Sequence, residues 1–223
     1  MRTQVLPRRE GAHLRDAAAG VWNREEARLL GRFRTPVQIQ RFLNELPYND
    51  RPTALSPRRV LREHTAHCFE GALFAAAALR RLGYPPLIVD MLARNDDDHV
   101  IAVFRRNRLW GAVAKSNTTL LRFREPVYRS LRELVMSYFE MYFNTRGTKS
   151  LLSYSRPVNL ARFDCRAWMT SEDDLDYIGD YLGTILHTPV LGRADRRRLS
   201  PADPEVVRAC FLGSKESGLF KPR

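Results

Sequence analysis

Apolar and polar positions alternate with two different periods along this chain, and the periods mark out its elements. "TPVQIQRFLNELPYN" places Thr35 as an N-cap and Pro36 at the first helical position, with Val37, Ile39, Phe42, Leu43 and Leu46 as the apolar stripe and Pro47 as the stop. "REEARLLGRF" before it predicts a short helix, and "NDRPTALSP" after it reads as a loop. The alanine-rich stretch 69–82 predicts a helix closed by Gly83, a residue suited to the left-handed position after a helix. "YPPLIVDMLA" is strand-like and "RNDDD" a turn. "HVIAVFRRN" and "RLWGAVAKSN" then form two antiparallel strands about a tight turn at 106–108. In "PVYRSLRELVMSYFEMYFN", Val127, Leu131, Leu134, Tyr138 and Tyr142 recur at helical steps, with Pro126 in the first turn. "TKSLLSYSRPVNLARFD" alternates enough for one further strand. "TSEDDLDYIGDYLGTIL" predicts a helix capped by Thr170 or Ser171, with acidic residues in its positive first turn.

The order predicts an α+β fold: helix 69–82 packed on a small antiparallel sheet drawn from residues 86–121, with flanking helices from both ends covering the rest. Residues 1–22 carry no sustained apolar period and read as loosely ordered. We divide the chain into a helical extension at 1–54 packing on the core, a main domain at 55–212 and a flexible tail at 213–223. At 223 residues the chain has the length for one core, and 44% hydrophobic with 28% charged residues is ordinary globular usage. No apolar run is long enough to cross a bilayer and the first residues lack a secretory leader, so the expectation is a soluble, cytoplasmic protein without a membrane partner.

Charge and cysteine usage narrow the classes further. The formal charge of +12 favours contact with phosphate, but the arginines are scattered, with only "RADRRRL" as a local run, and no nucleic-acid-binding motif stands out. A solvated basic surface with weak nonspecific nucleic-acid binding is the expectation. Cys68, Cys165 and Cys210 are odd in number and far apart, which argues against a disulfide scaffold or a CxxC knuckle. An important cysteine here acts alone.

Cys68, in "EHTAHCFEGALFAAAALRRLGYPP", has three readings: a buried small residue, a metal ligand beside His64 and His67, or a nucleophile. The positive end of a helix favours thiolate over thiol, as nucleophilic attack requires. A thiol nucleophile also needs an imidazole within hydrogen-bond reach, and His99 at the start of the next strand but one is the candidate. The backbone N–H of Cys68, with His64 or His67, is the candidate oxyanion donor set. Against a metal, His67 and Cys68 are adjacent and diverge in direction, and no second closely spaced ligand pair exists. No phosphate-cradling or nucleophile-elbow motif occurs, and no cofactor is expected.

"HCFEGALFAAAALRRLGYPPLIVDMLA", "DDHVIAVF" and "RLWGAVAKSN" together resemble the core of the transglutaminase-like superfamily of papain-type cysteine enzymes, and the flanking segments resemble those of its uncharacterised bacterial members. The resemblance covers roughly residues 55–120 and rests on Cys68, the "ALRRLGYPP" phrase, His99 and Trp110. It implies a papain-like fold, Cys68 as nucleophile, His99 as base and then acid, and an aspartate on the adjacent strand. Aligning His99 and Trp110 puts Ala114 at that third position, and a two-residue hairpin loop would set Ala114 opposite His99. Asn117 could replace the aspartate, or Asp97, Asp98 or Asp90 could orient His99 from another side. The implied function is a cysteine hydrolase or acyltransferase acting on a peptide or a small amide or ester through a Cys68 thioester. The missing aspartate also admits an inactive binding module for peptide or nucleic acid. "HCFE" further resembles the arylamine N-acetyltransferases, but "EHTAH" stands where they carry Arg-Gly-Gly, which ranks that reading lower.

Overall fold

The computed structural model describes residues 21–222; the expectation of loose order for residues 1–22 lies almost wholly outside them. The first helix, α1 (Arg24–Leu30), opens on a reciprocal cap in which Asn23 and Glu26 each accept the other's backbone N–H. Helix α2 (Pro36–Glu45) starts at Thr35 and Pro36, and its buried Ile39, Gln40 and Leu43 face the core. Helix α3 (Pro57–Glu63) is capped by Ser56 and ends at His64, which takes a left-handed conformation.

Helix α4 (Cys68–Arg81) is the centre of the molecule. Its alanines 75–78, with Leu73, Phe74 and Leu79, are buried, and each large apolar side chain removed from water here contributes about 1.5–3 kcal/mol. Small residues let neighbours approach closely. A Cβ on Gly71 would lie 2.3 Å from the Cβ of Lys115, so this glycine is what admits the chain leaving the third strand. The helix stops as the sequence predicts, with Gly83 at φ 92° and its N–H donating to Arg80 O. In the last turn, buried Arg80 forms a bidentate pair with Asp164, which also accepts from Trp168 Nε1 and so ties a short 3-10 segment (Leu160–Arg166) to α4.

Among the described residues, seven strands form one antiparallel sheet. They are β1 (Leu87–Ala93), β2 (His99–Arg106), β3 (Leu109–Val113), β4 (Arg124–Tyr128), β5 (Leu151–Ser155), β6 (Val158–Asn159) and β7 (His187–Pro189). Their spatial order is β4-β3-β2-β1-β5-β7, and β6 continues along the same edge of β1 as β5. The sheet is thus wider than the three-strand unit predicted from 86–121. It has two covered faces. Ile88, Val100, Ala102 and Phe104 pack with α4, whereas Val89, Met91, Ile101 and Val103 pack with α5 (Leu131–Phe139).

Two predicted helices are shorter than their patterns. Pro126 and Val127 belong to edge strand β4, where proline costs no ladder bond, and Val127 is exposed. The helix begins only after Ser130, whose Oγ accepts from Glu133 N, and Tyr142 lies beyond its end. The helix expected from Thr170 or Ser171 instead starts at Asp176 (α6, Asp176–Thr184), because Ser171 closes a local turn with Asp173. Two short helices follow, α7 (Arg193–Arg196) and α8 (Pro204–Cys210). Residues 213–222 are not a free tail: their main chain is held by Asn117, Thr145 and Arg146. Among the described residues no helix is long and apolar enough to cross a membrane.

Candidate active site

Cys68 is the first residue of α4, so its backbone N–H belongs to the first turn, where no carbonyl within the helix is available. Buried Glu70 builds the turn. Its carboxylate accepts from His67 N (2.9 Å), Leu55 N (3.0 Å), Thr53 Oγ1 (2.8 Å) and Asn49 Nδ2 (2.9 Å), fastening the 49–55 loop beside the cysteine. The loop in turn fixes His67, whose Nε2 is 2.7 Å from Thr53 O. A carbonyl only accepts, so Nε2 of His67 carries a proton.

His99 opens β2 on the sheet face shared with Ile101 and Val103, while α4 covers the opposite face. The two residues meet around the end of the strand: as a thiol, Cys68 Sγ donates to Asp98 O at 3.7 Å, one residue before His99. The His99 ring is buried, lies edge-on to Tyr142 at 6.4 Å, and places Nε2 2.9 Å from Leu121 O. Nε2 therefore donates, leaving Nδ1 as the nitrogen that can exchange a proton with sulfur.

Both imidazoles act on the thiol. Burial opposes a thiolate, but hydrogen bonds and charge from His67 and His99 outweigh it and bring Cys68 down to about 6. For His67, burial again opposes charge, and the hydrogen bond and negative charge of Cys68, followed by Glu70 and the Thr53 carbonyl, raise it to about 9. The two shifts, each caused largely by the other group, favour a thiolate beside an imidazolium. Such a group attacks an electrophilic carbon without first losing a proton.

The remaining predicted residues are engaged by other partners, although Asn117, Asp97 and Asp98 also line the cavity beside Cys68. Asn117 does not orient His99: its Oδ1 accepts from Lys215 N (2.8 Å) and its Nδ2 donates to Lys215 O (2.9 Å). Ala114 is not opposite His99 either. The hairpin turn is Asn107–Arg108, both left-handed, which pairs Arg106 with Leu109 and Ala102 with Val113, so the register carried onward sets Ala114 opposite Ile101. The backbone of Ala114 is held on both sides by the Gln40 amide. Asp98 accepts from Ala93 N, and the Asp97 carbonyl accepts from Tyr142 Oη. Asp90 pairs with His187 at 3.0 Å. Exposed His64 packs edge-on to Phe42 at the end of α3. Among the described residues no three His, Cys, Asp or Glu side chains gather as a metal site would require.

Sequence patterns gave no signal for Leu121, because its contribution is a backbone carbonyl, or for Tyr48 and Tyr142, which line the cavity beside Cys68. That cavity, bounded also by His99, Asp97 and Leu121, holds about 60 Å³. On the His67 side, an open groove of about 480 Å³ runs between residues 48–51 and residues 217–221. The chain matches no protein-family model and none of the curated proteins.

Proposed function

We propose that the protein is a cysteine-dependent hydrolase or acyltransferase with a papain-like, transglutaminase-like core, acting on an amide or ester carbonyl through a Cys68 thioester. The observation that carries this reading is the convergence of His67 and His99 on a cysteine at the first turn of a buried helix. An antiparallel sheet packed on the helix that bears the cysteine supports the papain-like core.

Cys68 thiolate attacks the carbonyl carbon, and the first-turn N–H of Cys68 faces the developing oxyanion. The proton given up by the Cys68 thiol rests on Nδ1 of His99, which delivers it to the departing amine or alkoxide as the carbonyl–heteroatom bond breaks, leaving the acyl group on sulfur. Water or an amine then attacks the thioester, loses its proton to Nδ1 of His99, and releases the product and the Cys68 thiolate. His67 keeps its charge throughout and stabilises the thiolate at both ends of the cycle. The Leu121 carbonyl takes the place that the resemblance gives to an aspartate: it holds the His99 tautomer but adds no negative charge.

That neutral acceptor is also what favours the second reading, an inactive peptide-binding module. Incubation with p-nitrophenyl esters separates the two. Release of p-nitrophenol with a transient acyl adduct mapped to Cys68, and persistence of that adduct in His99→Ala, support the enzyme. Absence of any Cys68 adduct, together with a thiol no more reactive near neutral pH than in the unfolded chain, leaves the binding module.

A further inference from the structure

Residues 217–221 border the Cys68 site, and most of the anchors of the segment 213–222 engage its main-chain atoms. Asn117 brackets Lys215 through both its N–H and C=O, and Ser214 Oγ donates to Asn117 O at 2.8 Å. Thr145 Oγ1 donates to Phe220 O at 3.4 Å, and Arg146 donates to Pro222 O at 2.9 Å. Just upstream, Thr119 Oγ1 donates to Leu212 O at 3.0 Å. Contacts of this kind hold a chain by its backbone with little regard to its sequence, here along a path that includes a 3-10 turn at Glu216–Gly218. Two side-chain contacts add selectivity: Lys215 Nζ and Ser217 Oγ both donate to Asp50, at 2.7 and 2.6 Å.

The placement has a steric consequence. Gly218, Leu219 and Phe220 wall both the small cavity at His99 and the open groove at His67. The cavity on the His99 side, where a leaving group would have to sit, holds about 60 Å³, against roughly 300–1,000 Å³ for pockets that take small organic ligands. Gly218 is packed so tightly on the Tyr48 ring that an added Cβ would stand 2.8 Å from two ring carbons.

We propose that the groove over Cys68 is a polypeptide-binding site occupied in cis by residues 213–222, and that the true substrate is a polypeptide, with a basic side chain reaching Asp50, that must displace this segment. The segment is a latch on the leaving-group side of the thiol. Because the Asp50 contacts are exposed, added salt weakens it. The inference rests on Cys68 as the reacting group, and its test is arranged to fail separately from that reading.

Labelling of Cys68 by a bulky fluorescein maleimide and by iodoacetamide is followed by peptide mass spectrometry in the full chain and in Gly218→Val, with Asp50→Ala as the second variant should the first not fold. Opening the latch raises the bulky-reagent rate about tenfold, while the iodoacetamide rate changes less than about twofold, since labelling tracks the population of the open form. A synthetic peptide of residues 213–222, added in trans, returns the bulky-reagent rate of the variant toward that of the unaltered chain. If trypsin cuts the variant faster after Lys215 yet the bulky reagent reacts no faster, the segment is not a latch. If the peptide gives no protection, the groove is not a polypeptide site. An ordinary thiol pH profile with iodoacetamide, alongside a tenfold bulky-reagent gain, overturns the nucleophile and leaves the latch standing.

Discussion

Nε2 of His99 lies 2.9 Å from the carbonyl oxygen of Leu121, so the far side of the ring beside Cys68 is held by backbone rather than by an acidic or amide side chain. A carbonyl fixes the tautomer as firmly as a carboxylate but contributes only a dipole. The proton balance of the site consequently depends on the second imidazole, His67.

That arrangement separates His99 from Asn117 experimentally. Asn117→Ala leaves the midpoint of the Cys68 rate–pH curve with iodoacetamide where it is, because the Asn117 amide serves Lys215. His99→Ala moves the midpoint up by about one unit, equivalent to about 1.4 kcal/mol of lost thiolate stabilisation.

The sign of the pH dependence is set by the thiol itself. With Cys68 at about 6, alkylation is level above that pH and falls about tenfold per unit below it as the thiolate is protonated. His67→Ala removes a hydrogen bond and a positive charge, so the midpoint rises toward the ordinary thiol value and the rate at pH 7 drops. A pH series on the single variant suffices; an unmoved midpoint would show that His67 does not touch the thiol.

Gly71→Ala tests the contact that seats the chain after β3 against α4. The new Cβ would fall 2.3 Å from Lys115 Cβ, a backbone-proximal atom that cannot swing away. Overpacking of this kind costs about 1–3 kcal/mol, which for a chain of this size lowers Tm by roughly 2–4 °C per kcal/mol. Thermal unfolding monitored by circular dichroism reads the change.

Lys115 is buried, and its ammonium donates to the carbonyls of Leu43 and Leu46 at the end of α2. Burial, with a smaller effect from the Arg122 charge, lowers it to about 8, whereas the unfolded residue titrates near 10.5. Between those values the unfolded chain binds a proton that the folded chain does not, so this residue makes stability rise with pH across that window and adds no slope below it. The stability difference between the unaltered protein and Lys115→Met should therefore climb by at most about 3 kcal/mol from pH 8 to pH 10.5. Urea unfolding at several pH values measures it, and a flat difference would rule out a depressed lysine.

Local patterns were legible wherever a stop signal and a period agreed. Thr35 with Pro36, the alanine run closed by Gly83, and the alternation of "HVIAVF" each placed an element to within a residue or two. The Val127-to-Tyr142 stripe misled because Pro126 is as acceptable on an edge strand as in a first helical turn, and only β3 pairing decides between them. The hairpin register turned on whether the two turn residues were 106–107 or 107–108, a shift that moves Ala114 away from His99.

The sequence by itself determined that a cysteine opens the central helix and that a histidine opens a strand nearby, because helix-start and strand-start signals are local. Tertiary structure alone decided what surrounds them. A backbone carbonyl from Leu121 has no sequence signature, Glu70 reaches the 49–55 loop only after folding, and Asn117 is claimed by a segment 98 residues away. Each of these depends on directional hydrogen bonds between groups far apart in the chain, and no period of hydrophobic and polar residues encodes their geometry.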